Sequence, residues 1–97
     1  MPARLRPPPE IEADADLRGA DLRRCDLAER DLTGVRLRRA DLRGARLTGA
    51  TLAGVDLAGA RLRRGDLSEA DLSEARLQGA DLALAESIRA HYERRLR

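Results

Sequence analysis

Leucine occupies every fifth position from Leu17 to Leu82, fourteen times without a gap. A step of five fits neither regular element. Along an α-helix it advances by about 140° net, which spreads the leucines around the whole surface. Along a straight strand an odd step alternates faces and sends half of them into water. Only a chain that bends once in every five residues can bring all fourteen to one inner side.

The residues around each leucine agree with such a bend. Two positions before it stands Ala or Val in eleven of the fourteen repeats, the others being Cys25, Arg30 and Gly65, so a small side chain can point inward beside the leucine. Two positions after it stands Gly in seven, among them Gly19, Gly44 and Gly59, as suits a corner. This is the pattern of a solenoid, whose coils bury their apolar side only by stacking. The residue just before each leucine faces outward and lies over its counterpart in the next coil, roughly 4.8 Å away. With four repeats per coil, seven of ten stacked pairs are opposite in charge and one, Asp21 over Asp41, is alike. Three repeats per coil give seven like pairs among eleven, and five give five among nine. Like charges directly opposed destabilise a ladder, so a four-sided tube is predicted.

The runs Ala20-Asp21-Leu22-Arg23-Arg24, Ala40-Asp41-Leu42-Arg43-Gly44, Ala70-Asp71-Leu72-Ser73-Glu74 and Ala80-Asp81-Leu82 resemble the A-D/N-L-x-x signature of the pentapeptide-repeat family, over residues 15–84. The resemblance implies an all-β fold, a right-handed quadrilateral parallel β-helix, here of about three and a half coils at a ladder spacing near 4.8 Å. Arg36, Arg46, Arg61 and Arg76 stand where the family usually has Asp or Asn.

The two ends leave the leucine register. Residues 1–12, with Pro7-Pro8-Pro9, are predicted to form an extended lead-in and cap, with Ile11 plugging the open first coil. The repeat region is placed at 13–84 and an amphipathic helix at 85–97. Leu84, Ile88, Tyr92 and Leu96 fall four apart and make one apolar stripe. That stripe either caps the last coil or forms a self-association surface. The resemblance suggests the second through family members that bind gyrase and dimerise end to end. Arg30, in an inward slot of the first coil, either turns into solvent or pairs with Glu10, Glu12 or Asp14 of the lead-in.

Composition narrows the chemistry. The 97 residues allow one domain, and the formal net charge is +2. The single histidine, His91, has no nucleophile or second ligand at a useful spacing, and the aspartates are spread in columns beside arginines. No Gly-rich loop precedes a helix to cradle phosphate. An enzyme is therefore not expected, nor a metal or cofactor. Cys25, the only cysteine, reads as a small buried hydrophobe. With no membrane-length apolar run and no leader, the expected location is cytoplasmic. All nineteen basic residues are Arg, which we read mainly as coding bias, although arginine also suits carboxylate pairing.

Charge by side is more informative. The first two sides, through Leu17 and Leu22, each carry a net +3, and the third and fourth, through Leu27 and Leu32, a net −3 each with Arg30 left out. The candidate basic face is Arg18, Arg23, Arg38, Arg43 and Arg63, with Arg24, Arg39 and Arg64 at the corners. The candidate acidic face is Asp26, Glu29, Asp31, Asp66, Glu69, Asp71 and Glu74. A flat, regular surface without a pocket suits a non-enzymatic interaction module or scaffold that docks a protein partner. The alternative, implied by the resemblance, is a DNA mimic that binds a type II topoisomerase and protects or inhibits gyrase. Mimicry wants a continuously negative rod, and only the third and fourth sides qualify. A third class is polyanion binding by the basic faces. With no Phe or Trp and one Tyr, base stacking is largely unavailable, and nucleic acid is not the expected partner.

Overall fold

The computed structural model describes residues 4–85. Fifteen β-turns follow one another, from Glu12–Ala15 to Leu82–Ala85. In each, the N–H of the fourth residue donates to the carbonyl of the first at 2.9–3.3 Å. The third residue of every turn has a positive φ, between +55° and +82°, as a type II turn requires. Between turns the chain is extended for about one residue pair, and there it meets the coil above. Nine parallel bridges join residues twenty apart, running from Asp16–Arg36 to Arg61–Asp81. Four repeats therefore make one coil, as the charge columns predict. Each side of a coil contributes one bridging residue, so the ladder is a set of isolated bridges rather than long strands.

The leucines line the inside. Those from Leu22 to Leu72 are buried, packed beside Val35, Ala40, Ala45, Ala50, Val55 and Ala60. Burial fades at the ends, where Leu17 and Leu82 are only partly covered. Cys25 fills an inward slot, and burial pushes its thiol pKa up. Gly65 and Arg30 keep the same turn hydrogen bond as their alanine counterparts, at 2.9 and 3.3 Å. The half-buried Arg30 forms no ion pair with Glu10, Glu12 or Asp14 among the described residues. Ile11 packs partly buried against the core.

The lead-in does more than pass by. The Arg6 N–H donates to the Arg24 carbonyl at 2.6 Å, and the Asp26 N–H donates to the Arg6 carbonyl at 2.9 Å. This adds one rung beneath the third side of the tube. Its partner in the bridge is Cys25, a separation of nineteen rather than twenty. The expected helix over 85–97, with Ile88, Tyr92 and Leu96 of its stripe, lies outside the described residues apart from Ala85. Leu84 is the left-handed corner of the last turn, with φ +60°, and so belongs to the tube rather than to a helix.

Why only half of the corners are glycine follows from where their neighbours point. Seven of the fourteen corners after a leucine carry a side chain despite the positive φ, Arg24, Glu29, Arg39 and Arg64 among them. The side chains of Arg24, Glu29 and Arg39 lean along the tube onto the corner of the next coil. A Cβ added at Gly44 would meet Arg24 Cγ at 3.1 Å, one at Gly59 would meet Arg39 Cγ at 3.2 Å, and one at Gly49 would meet the Glu29 carboxylate. Gly34 is likewise overlaid by Asp14. At Gly54 the space is open. Two alanine substitutions separate backbone strain from this stacking. Gly54→Ala should cost only the left-handed penalty, about 1–2 kcal/mol. Gly44→Ala should cost more in chemical denaturation, and the excess should vanish in Arg24→Ala/Gly44→Ala. Equal single-mutant costs would show that the arginine gives way freely.

Candidate functional site

The outward surface is built from the residue before each leucine and the two after it. Nine of the fourteen residues before a leucine are Asp, and each accepts a hydrogen bond on its carboxylate from the backbone N–H two residues on. Asp56 takes the Ala58 N–H at 2.9 Å, Asp31 the Thr33 N–H at 3.0 Å and Asp81 the Ala83 N–H at 3.0 Å. The carboxylate thereby satisfies an N–H at the turn that the ladder leaves unmet, the reason Asp is favoured in such turns. Asp66 and Asp71 gain a second bond from the hydroxyls of Ser68 and Ser73, each at 2.6 Å.

All five arginines of the candidate basic face are engaged. Arg18 holds Asp16 through Nε and Nη2 at 2.8 and 2.7 Å, Arg23 holds Asp21 at 2.9 and 2.9 Å, and Arg43 holds Asp41 at 2.8 and 2.6 Å. Arg38 reaches Asp56 at 3.9 Å and Arg63 reaches Asp81 at 3.5 Å, both in the coil above. The column Arg23–Arg43–Arg63 is thus a zipper with its neighbouring aspartates, not a free basic strip. Arg23 also lies 3.9 Å from Asp41, so it bridges the one like-charged stack, Asp21 over Asp41. The stacked registers hold, but the ion contacts run mainly within a repeat or diagonally. Among the described residues, Arg46–Asp26, at 3.5 Å, is the directly stacked pair that closes. A signal for this was present: Asp-Leu-Arg occurs at 16–18, 21–23 and 41–43, and residues two apart on an extended chain share a face.

Among the described residues, charges without an ion pair include Arg36, Arg61 and Arg76 on the sides and several more at the corners. Arg24, Arg39, Arg64, Glu29 and Glu69 have positive φ, are exposed and form no ion pair among the described residues. Two open grooves centre on corner glycines. One, of about 490 Å³, is lined by Arg18, Gly19, Arg38 and Arg39. The other, of about 350 Å³, lies around Gly44 between Arg24 and Arg64. On the acidic sides, Asp26, Asp31, Asp66 and Asp71 are tied into the turns, while Glu29 and Glu69 project from the corners. Leu84 is 64% exposed at the open end of the last coil. Among the described residues, no group of three or more His, Cys, Asp or Glu could hold a metal ion, and no helix is long and apolar enough to cross a membrane.

A coil of four five-residue sides around a leucine core is the architecture of a repeat protein. The chain belongs to the pentapeptide repeat family, whose model, described as pentapeptide repeats, matches residues 13–49 and 50–85. Proteins of this family form right-handed quadrilateral β-helices. Among solved structures, the chain is 30% identical to a pentapeptide repeat protein from the cyanobacterium Cyanothece 51142, with a TM-score of 0.55 over 76% of this chain and 52% of that one. It is 40% identical to HetL of Nostoc sp. strain PCC 7120, a protein involved in heterocyst differentiation regulation, with a TM-score of 0.48 over 75% of this chain and 36% of HetL. QnrB1, a plasmid-mediated fluoroquinolone resistance protein, is 22% identical with a TM-score of 0.42, over 79% of this chain and 42% of QnrB1. The chain thus spans about half the length of the Cyanothece protein. A comparison with curated proteins found no match.

The Asp–Arg zipper has a pH signature. The Arg18 guanidinium, helped by the Arg18 N–H, holds the Asp16 carboxyl down to about 2, and Arg23 holds Asp21 lower still. Asp41 is depressed by Arg43, and Asp66 by Ser68. A carboxyl whose folded pKa is depressed stabilises the fold above its unfolded value, about 3.9, and loses that contribution as pH falls through the folded value. The thermal midpoint should therefore hold down to about pH 4 and fall between about pH 4 and pH 2. Circular dichroism melts of the chain and of Asp16→Asn/Asp21→Asn should show a shallower acid decline in the variant. An identical decline would mean that these exposed pairs add nothing measurable.

Proposed function

We propose that this chain is a non-enzymatic protein-interaction module, a short rigid tube that offers charged sides to a protein partner. The observation that carries this reading is the distribution of charge. The sides are tied by turn hydrogen bonds and ion pairs, and Arg24, Arg39, Arg64, Glu29 and Glu69 stand exposed at corners without an ion pair among the described residues, where another surface can meet them. Neither groove is a closed cavity, and the carboxylates that a hydrolase would need are tied into backbone hydrogen bonds. The expected setting is the cytoplasm.

In this reading residues 85–97 form a helix whose stripe of Ile88, Tyr92 and Leu96 covers the last coil, where Leu84 stands exposed and Leu82 half-buried. A homodimer through the same stripe is the competing outcome. Ending the chain at Ala85 distinguishes them. Aggregation or loss of cooperative melting supports a cap, because it bares an unpaired edge. A soluble, equally stable monomer supports the partner surface.

The alternative reading, a DNA mimic acting on a type II topoisomerase, rests on the third and fourth sides, where Glu29 and Glu69 form no ion pair among the described residues. Two facts weigh against it: Arg46 interrupts the Asp26–Asp66 column, and the described tube has fewer than four coils. The decisive measurement is gyrase supercoiling with the chain and with Asp31→Asn/Asp71→Asn/Glu74→Gln. We expect no inhibition by either. Micromolar inhibition abolished by the triple change would replace the leading reading with the alternative. Duplex DNA retained with a steep salt dependence, and lost in Arg23→Gln/Arg43→Gln/Arg63→Gln, would favour polyanion binding instead.

A further inference from the structure

The third side of the tube, residues 24–29, 44–49 and 64–69, is edged by two corner columns with the same plan and opposite charge. One edge reads Arg24, Gly44, Arg64, and the other Glu29, Gly49, Glu69. On each edge a charged residue holds a left-handed backbone, with φ of 55° and 60° at the arginines and 62° and 61° at the glutamates. Glycine would take that conformation without strain, and does so at the coil between them. Strain kept at a charged, exposed side chain points to a use for the side chain. None of the four forms an ion pair among the described residues.

We propose that two copies of this chain associate side by side, axes parallel, through this third side, each copy's Arg24–Arg64 edge meeting the other's Glu29–Glu69 edge. A two-fold axis parallel to the tube, lying in the contact plane, exchanges left and right but keeps height. Arg24 of one copy then faces Glu29 of the other, Arg64 faces Glu69, and symmetry supplies the same two pairs again. Each pair lies almost level, because the two members are only five residues apart along a coil of twenty. An antiparallel pair would instead set arginine edge against arginine edge, so the charges select the parallel arrangement.

The surface between the edges permits the approach. Its outward residues after the leucines are Ala28, Thr48 and Ser68, all half-buried, whereas the second side carries Arg23, Arg43 and Arg63 there. The other outward column is largely self-neutralised, with Arg46 bonded to Asp26 at 3.5 Å. In the dimer this column meets the small one of the other copy. The contact spans only about three coils, some 10–15 Å at ladder spacing, which places it among weak, reversible interfaces. Its charges are exposed, so salt at about 0.15 M should screen them substantially. This inference goes beyond the interaction-module reading and does not depend on the identity of any other partner.

The test is sedimentation velocity on the full chain at high micromolar concentration and low ionic strength. The wild type should be a dimer that dissociates as salt is raised. Arg24→Glu/Arg64→Glu should weaken dimerisation by at least about tenfold, and Glu29→Arg/Glu69→Arg should do the same, because each makes both edges alike. Both residue types already occupy left-handed corners here, so the swaps suit the fold. If either swap nonetheless fails to fold by circular dichroism, the Gln versions (Arg24→Gln/Arg64→Gln and Glu29→Gln/Glu69→Gln) should each lower affinity in its place. An equimolar mixture of the two swapped chains should restore a one-to-one complex, since the acidic edges of one then face the basic edges of the other. A wild type that stays monomeric overturns the proposal. So does a dimer indifferent to both swaps, or a mixture that fails to pair.

Discussion

One hydrogen bond, repeated at every fifth residue, sets the terms for the rest of this molecule. Each leucine carbonyl from Leu17 to Leu82 in the register of five accepts the N–H three residues on, and the third residue of the turn so closed holds a positive φ. From that follow the square section, the inward leucine, the small neighbour and the outward polar pair. A longer spacing would lose the turn, and a shorter one would lose the single ladder rung per side. The tube has no long strand to fall back on, since its bridges are isolated. Its cohesion is therefore distributed, with a similar small contribution from every repeat.

Arginine is the cation suited to this surface. Arg18, Arg23 and Arg43 each place Nε and Nη2 on the two oxygens of one carboxylate, a fork that an ammonium group cannot match. The same carboxylate is simultaneously holding a backbone N–H of its turn. Each such aspartate thus serves the fold and the surface at once, and this dual duty explains why the zippered arginines are less available to a partner than their number suggests. Exposed pairs of this kind contribute little individually to stability. Their larger effect is to neutralise charge within the sides, while Arg24, Arg39, Arg64, Glu29 and Glu69 at the corners form no ion pair among the described residues.

The period of five made the coil legible, and the alternation of Asp and Arg made its four-sidedness legible, because both are properties of residue type at fixed spacing. The corner glycines were legible as corners. What composition along the columns could not convey was direction: side chains at the left-handed corners lean along the axis, so Gly44 and Gly59 are small because Arg24 and Arg39 need the room. The pairing on the basic face is not legible for a related reason. Counting charge per side treats Arg23, Arg43 and Arg63 as free, while the pairing with Asp21, Asp41 and Asp81 depends on side-chain reach. Leu84 was assigned to a helical stripe by its spacing to Ile88, yet the turn at Leu82–Ala85 claims it first.

The rung added by Arg6 bears on whether such a tube can grow along its axis. A parallel solenoid ends in bare rungs onto which another molecule's coil could be laid, giving a filament of tubes stacked head to tail. At the first coil, one of the four sides is already occupied by the chain's own lead-in. It enters one residue out of step, pairing Arg6 with Cys25 where the coil's rule would place Asp26. The three residues after it are prolines, which have no N–H to extend the pairing. An incoming coil would find that side filled and off register, which disfavours axial stacking on the first coil.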